Sequence, residues 1–208
     1  QYWYGYEWTK NLASGVGQPT LSSWLPGATT SSNYAQSSTD PNHRWYHEGS
    51  SSPFNATQSC AGLPNVNEMT WYADKGDPHW DGDELWSTMG HLYTGGIWFK
   101  KRSQISGFNA TTAYDGTDWR TAGNYHSWTL SLTLPSAADA GKYFYLPALG
   151  HYSSGQLDDV SGRGHYWSSS ASPGASTLAY YLTFSSSSVV VGNYGRSRED
   201  GCRVGGFE

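Results

Sequence analysis

The stretch from Gly164 to Glu208, GHYWSSSASPGASTLAYYLTFSSSSVVVGNYGRSREDGCRVGGFE, constrains the fold more than any other part of the chain. Large residues and glycine recur in it as a frame: Tyr166-Trp167, Ala179-Tyr180, Leu182, Phe184 and Gly201-Cys202-Arg203-Val204. Small polar residues fill the gaps. Aromatic and β-branched runs bounded by Gly, Ser and Asn read as strands, so the segment predicts three of them, with the Ser185–Ser188 run as a hairpin tip. A frame that fixes the fold while filler residues face outward suits a recognition surface better than a catalytic cleft.

The rest of the chain fits a sheet protein. Charged residues are only 14% and aromatic residues 16% of the 208 positions, with abundant Gly and Ser, which favours short strands and long loops over helices. Eleven Trp and sixteen Tyr supply enough apolar area to bury that disorder is not expected. Residues 1–57 alternate aromatic clusters with polar turns and read as an N-terminal extension of short strands and loops packed on a main domain at 58–208.

A helix is predicted from Val66 to Asp74, started by Pro64-Asn65, with Glu68 in its first turn and Val66, Met69 and Trp71 or Tyr72 as its apolar stripe. A second is predicted from Asp81 to Met89, where Asp81, Asp83 and Glu84 crowd the positive helix start and Gly90 stops it. His91–Tyr93, Gly96–Lys100, Ser127–Leu132 and Lys142–Leu149 read as strand material. Helices early and strands late make the class α+β with a mainly antiparallel sheet.

Several function classes are disfavoured at once. A net charge of -5 without a basic run argues against nucleic-acid binding, which needs clustered Lys and Arg. No segment approaches a membrane-spanning length. The opening QYWYGYEW is not a signal peptide, and the chain reads as a mature protein or as a piece of a larger one. The two cysteines, Cys60 and Cys202, leave two readings open: buried free thiols, or a disulfide made in an oxidising compartment.

With these residues placed, the chain resembles the FISUMP (Fib-succ-major) domain, a bacterial family with a C-type-lectin-like fold. Four pieces carry the resemblance: Cys60 with Leu63-Pro64 and Glu68 at the first helix; YFYLPALGHYSSGQL at 143–157; GHYWSSS at 164–170; and AYYLTF at 179–184, followed by Arg196 or Arg198 and Gly201-Cys202-Arg203-Val204. It covers about residues 58 to 207. The resemblance implies two short helices around a twisted sheet, a Cys60–Cys202 bridge between the helix side and the last strand, and Trp167 in the core. It also implies a secreted or bacterial cell-surface setting, with a phage virion as the alternative. Domains of this kind occur in adhesins and among the variable proteins of diversity-generating retroelements, in which scattered C-terminal codons are hypermutated.

Catalytic and metal chemistry find little footing. The lectin calcium signatures Glu-Pro-Asn and Trp-Asn-Asp are absent, and the acidic group Asp74, Asp77, Asp81, Asp83 and Glu84 does not have calcium-loop spacing; capping and solvation explain it better. His43 and His47 are four apart, but Pro41 and Gly49 argue against the helix that would align them, and no third ligand is evident. Nothing singles out a carboxylate pair for glycoside hydrolysis, and no Gly-x-Ser-x-Gly nucleophile motif occurs. No cofactor, metal or catalytic residue is expected.

The expected function is therefore non-catalytic recognition of a protein or glycan by the face that the 168–200 strands and loops make. Tyr, Ser, Gly and Asn there are the residue mix of antibody paratopes, rigid aromatic area joined to adaptable hydrogen bonding. The candidate contacts are His165, Ser170, Ser172, Tyr181, Thr183, Ser185, Ser187, Asn193, Tyr194, Arg196 and Arg198. Tyr181 is expected outside because it alternates with the inward Tyr180 and Leu182, and Tyr194 because it sits in a Gly-Asn turn. The alternatives are a structural subunit of a fimbrial tip or phage tail, and a carbohydrate-active enzyme.

Overall fold

The computed structural model describes residues 60–88, 91–153, 156–173, 178–196 and 200–208. The expected N-terminal extension, the His43/His47 pair and Arg198 lie outside the described residues.

The first element is helix α1, Val66–Lys75. Its start is fixed by a capping box: the Asn65 side chain accepts from the Glu68 backbone N–H, and the Glu68 carboxylate accepts from the Asn65 N–H. Val66, Met69, Tyr72 and Ala73 form its buried stripe. After it the described residues are strand and loop apart from two 3-10 turns, Arg102–Gln104 and Ala140–Lys142. β1 (His79–Thr88), β2 (His91–Lys100) and β4 (Tyr143–Pro147) form one antiparallel sheet in the order β1-β2-β4. A second antiparallel sheet has the order β3-β9-β8-β7, from Tyr125–Trp128, Val189–Gly192, Ala179–Ser185 and Arg163–Ala171. A small ribbon pairs β5 (His151–Ser153) with β6 (Gln156–Asp158).

The class is α+β, mostly antiparallel sheet with one α-helix among the described residues; none of its helices is long and apolar enough to cross a membrane. The helix expected at Asp81–Met89 is, over its described residues Asp81 to Thr88, part of β1 instead. The local signal there is real but is used differently. The Asp81 carboxylate accepts from the backbone N–H groups of Asp83 and Glu84, as a helix N-cap would, yet it does so at a break in the β1–β2 register between Asp81 and Leu85. Its other oxygen accepts from the Trp98 indole on β2. Pairing of His79-Trp80-Asp81 and Leu85–Thr88 with β2 satisfies backbone groups that a short helix would leave open at both ends, and the Asx turn becomes a bulge.

Asp74 and Asp77 of the acidic group are spent on structure in the same way, while Asp83 and Glu84 are exposed. Asp74 accepts from the Trp128 indole, and Asp77 binds Tyr143, Lys100 and His79.

The principal core lies between α1 and the inner faces of both sheets. Val66, Met69 and Tyr72 meet Ile97 and Phe99 of β2, Leu146 of β4, Tyr166 of β7, and Tyr180, Leu182 and Phe184 of β8. Gly164 pairs with Phe184 across the β7–β8 ladder, and a Cβ there would strike the Phe184 ring, which explains the glycine in the Gly-x-Tyr-Trp frame. The hairpin tip at Ser185–Ser188 forms as expected, closed by Ser185 N–H donating to the Ser188 carbonyl.

A second, smaller core covers the opposite face of β7 and β8. Trp167, Tyr181 and Cys202 are its buried members, with Cys60, Leu63, Ala179 and Val204 packed around them. The segment before α1 and the C-terminal segment supply that cover. Arg203 bridges Tyr166 and Gly201 bridges Tyr152, so the chain end is tied down without forming a long strand. Each fully buried ring of this size contributes roughly 1.5–3 kcal/mol, which makes the second core a substantial part of the fold.

Candidate functional site

Two covered faces change which residues of the C-terminal run are available. β7 is buried almost continuously from Gly164 to Ser168, so strict alternation does not hold there. His165 is 1% exposed, enclosed in the fold rather than presented at the surface. Tyr181, expected outside, is 6% exposed because the second core covers its ring; it meets Trp167 edge-on at 6.3 Å. Ser170 and Ser172 are buried, and each binds the scaffold. The Ser170 hydroxyl accepts from the Val66 N–H at the helix start, and the Ser172 hydroxyl accepts from the Asn193 amide. Asn193 is therefore buried as well. All five are enclosed in the fold.

What remains outside is narrower. Thr183 and Ser185 are half-buried, Ser187 is exposed at the hairpin tip, and Arg196 is half-buried. Tyr194 is 60% exposed. Its neighbour is a residue absent from the candidate contacts: Tyr125 of β3, 53% exposed, with ring centroids 6.4 Å apart in an edge-on arrangement.

The pair is held from beneath. Tyr125 lies opposite Gly192 of β9, where an added Cβ would come within 2.7 Å of the Tyr125 ring. The glycine gives that ring its seat. The Tyr181 hydroxyl donates to the Tyr194 carbonyl at 2.6 Å, and Gly195 turns the chain next with φ +85°. The Tyr180 hydroxyl accepts from the Asn124 N–H at 3.0 Å and lies within hydrogen-bond reach of the Trp119 and Ala122 carbonyls, pinning the loop that delivers Tyr125. Burial raises the pKa values of both Tyr180 and Tyr181, so both hydroxyls keep their protons. Two exposed tyrosines are thus carried on backbone that two buried tyrosine hydroxyls hold, an arrangement that offers apolar stacking area.

The cysteines meet, but not as a bridge. Cys202 is a buried member of the second core and half-buried Cys60 packs against that core; both are free thiols. Burial pushes both thiols up, Cys202 the further.

His165 belongs to a separate group. Its ring packs against His151 of β5, with centroids 4.6 Å apart, and both face Asp159 in the turn after β6. Burial lowers the His151 pKa to about 3, helped by the neighbouring His165 and Arg196 charges, and burial lowers that of His165 too. Both rings are neutral at pH 7.

No protein-family model, curated protein or solved structure matches the chain.

Proposed function

We propose that this chain is a non-catalytic ligand-recognition domain, of C-type-lectin-like fold and FISUMP type, that binds a protein or glycan through the Tyr125–Tyr194 platform and the adjoining β8–β9 hairpin. The observation that carries this reading is the pair of half-exposed tyrosines seated on a buried frame of Tyr180, Tyr181, Ser172 and Asn193. Rigid exposed Tyr is the side chain that dominates binding energy at protein interfaces and stacks on sugar rings. Exposed Ser187 and half-buried Thr183 and Ser185 give the hairpin adaptable hydrogen bonding.

Such a domain belongs on a bacterial surface or in a secreted adhesin, facing a target cell; a virion is the alternative. In an oxidising setting the two thiols in the second core are the pair to form the bridge that the family resemblance implies. Exposure of the protein to a glycan array, with released sugar measured alongside retained protein, tests the non-catalytic reading. Retention without turnover supports it, and catalytic release of sugar sinks it.

A second reading, a structural subunit of a fimbrial tip or phage tail, is favoured by Leu132 and Leu134, 69% and 49% exposed in the segment after β3. Concentration-dependent self-association in light scattering, abolished by Leu132→Ser, would favour it over the first.

A further inference from the structure

His151, Asp159 and His165 come from three separate elements, yet one ligand atom from each lies within 4.8 Å of the other two. The Asp159 Oδ2 is 3.3 Å from His165 Nε2 and 3.9 Å from His151 Nδ1. The first is a weak hydrogen bond and the second is too long to be one. His151 Nδ1 is buried and without a hydrogen-bond partner among the described residues, although the ring is only 4% exposed. An orphaned imidazole nitrogen aimed at a carboxylate from just beyond hydrogen-bond distance is costly as it stands. Ligands at about 2.0–2.1 Å from a tetrahedral ion lie about 3.3–3.4 Å from each other; the Asp159–His165 edge already has that length, and the longer edges to His151 would have to shorten on binding.

We propose that His151, Asp159 and His165 form a binding site for one divalent late first-row transition-metal ion, Zn2+ foremost. Two imidazoles and one carboxylate suit such an ion rather than Ca2+ or Mg2+, which take shells of oxygen. The three ligands leave a fourth position for water on the side of half-exposed Asp159. The ion would act as a clip. The β5–β6 ribbon is joined to the strands around it through single bridges, Gly150 to Gly164 and Tyr152 to Gly201, and a shared ion would tie it to β7.

Arg196 sets the terms of binding. Its Nη1 lies 2.7 Å from His151 Nε2, and a guanidinium only donates, so Nε2 accepts and the ring proton sits on Nδ1. Ligation through Nδ1 moves that proton to Nε2 and releases Arg196, whose next partner, Asp200, is 3.9 Å away. Asp159 and Asp200 offset the charges of Arg196 and the nearby exposed Arg163, so an added cation does not meet an uncompensated positive field. Metal occupancy and the position of Arg196 are thereby linked, and Arg196 is two residues from Tyr194.

Titration of the chelator-treated full chain with Zn2+ by calorimetry, with thermal melting in parallel, tests the site. The expected result is one ion per chain and a raised Tm that chelator reverses. Asp159→Asn keeps the fold, because Asn tolerates the φ of +61° at this position, and it should weaken binding at least about tenfold. His43→Ala/His47→Ala should bind as the parent does, and Arg196→Ala at least as tightly. Co2+ in place of Zn2+ should give the visible absorption of a tetrahedral centre. No binding, undiminished binding by Asp159→Asn, or loss of binding in the His43→Ala/His47→Ala or Arg196→Ala variants would overturn the proposal.

Discussion

The hydroxyl of buried Tyr181 donates a hydrogen bond to the backbone carbonyl of exposed Tyr194, at 2.6 Å. One tyrosine of the C-terminal run thus serves the second core and fixes the turn that presents the other. Tyr181→Phe should cost about 1 kcal/mol, the usual worth of one such bond, and lower Tm by about 2–4 °C. The ring would still fill its place against Trp167. A larger loss in thermal melting would mean that the hydroxyl supports more than this turn.

Gly192→Ala tests the seat of the neighbouring ring. The backbone there accepts alanine, but the new Cβ meets Tyr125 at 2.7 Å, and the ring, being half-exposed, can move aside. Stability should therefore change little while ligand affinity falls about as far as it does in Tyr125→Ala. Equal affinity for Gly192→Ala and the parent protein, measured by surface-based binding, would show that the Tyr125 position does not matter.

Acid sensitivity should be traceable to Asp77. Burial alone would raise its pKa, but hydrogen bonds from Tyr143, Lys100 and His79 together outweigh it and hold the carboxyl at about 2. A folded-state value below the unfolded value of about 3.9 stabilises the fold above that pH, and the contribution is lost as pH falls from about 4 to 2. The side chain is 46% exposed, so screening limits the effect to about 1 kcal/mol. Asp77→Asn is suited to this φ of +48° and should flatten the stability profile in that window, as followed by urea unfolding at stepped pH.

Thiol chemistry gives a further check. With its pKa raised by burial, Cys202 should react with an alkylating reagent at pH 8 far more slowly than half-buried Cys60, and both should react freely once unfolded. Mild oxidation should join the two within one chain, seen as loss of both thiols without dimer. Equal labelling rates in the folded protein would contradict the burial of Cys202.

Much of the fold is legible in the residues themselves. Asn65 and Glu68 announce the helix, and AYYLTF with SSVVVG announces the β8–β9 hairpin, because capping and alternation are local signals. Asp81 misleads for an instructive reason: a carboxylate accepting from the N–H groups two and three residues on is common to helix starts and bulges, and only pairing with β2 separates them. Tyr181 misleads because alternation presumes one wet face, whereas Cys60, Leu63 and Val204 return from distant positions to cover it. Tyr125 carries no local sign of its partnership with Tyr194, which is created by the β3–β9 register. The same holds for His151, Asp159 and His165, which no spacing rule connects.

The platform itself is tested most directly by the affinity of Tyr125→Ala/Tyr194→Ala against that of the parent protein, for whichever glycans or cell-surface proteins the parent retains on an array. Both rings are half-exposed, so the double variant should melt within a few degrees of the parent, and its affinity should fall by at least about 1–2 orders of magnitude, as loss of two anchoring tyrosines requires. Undiminished binding by a folded double variant, or no binding to any probe by the parent, would contradict the account.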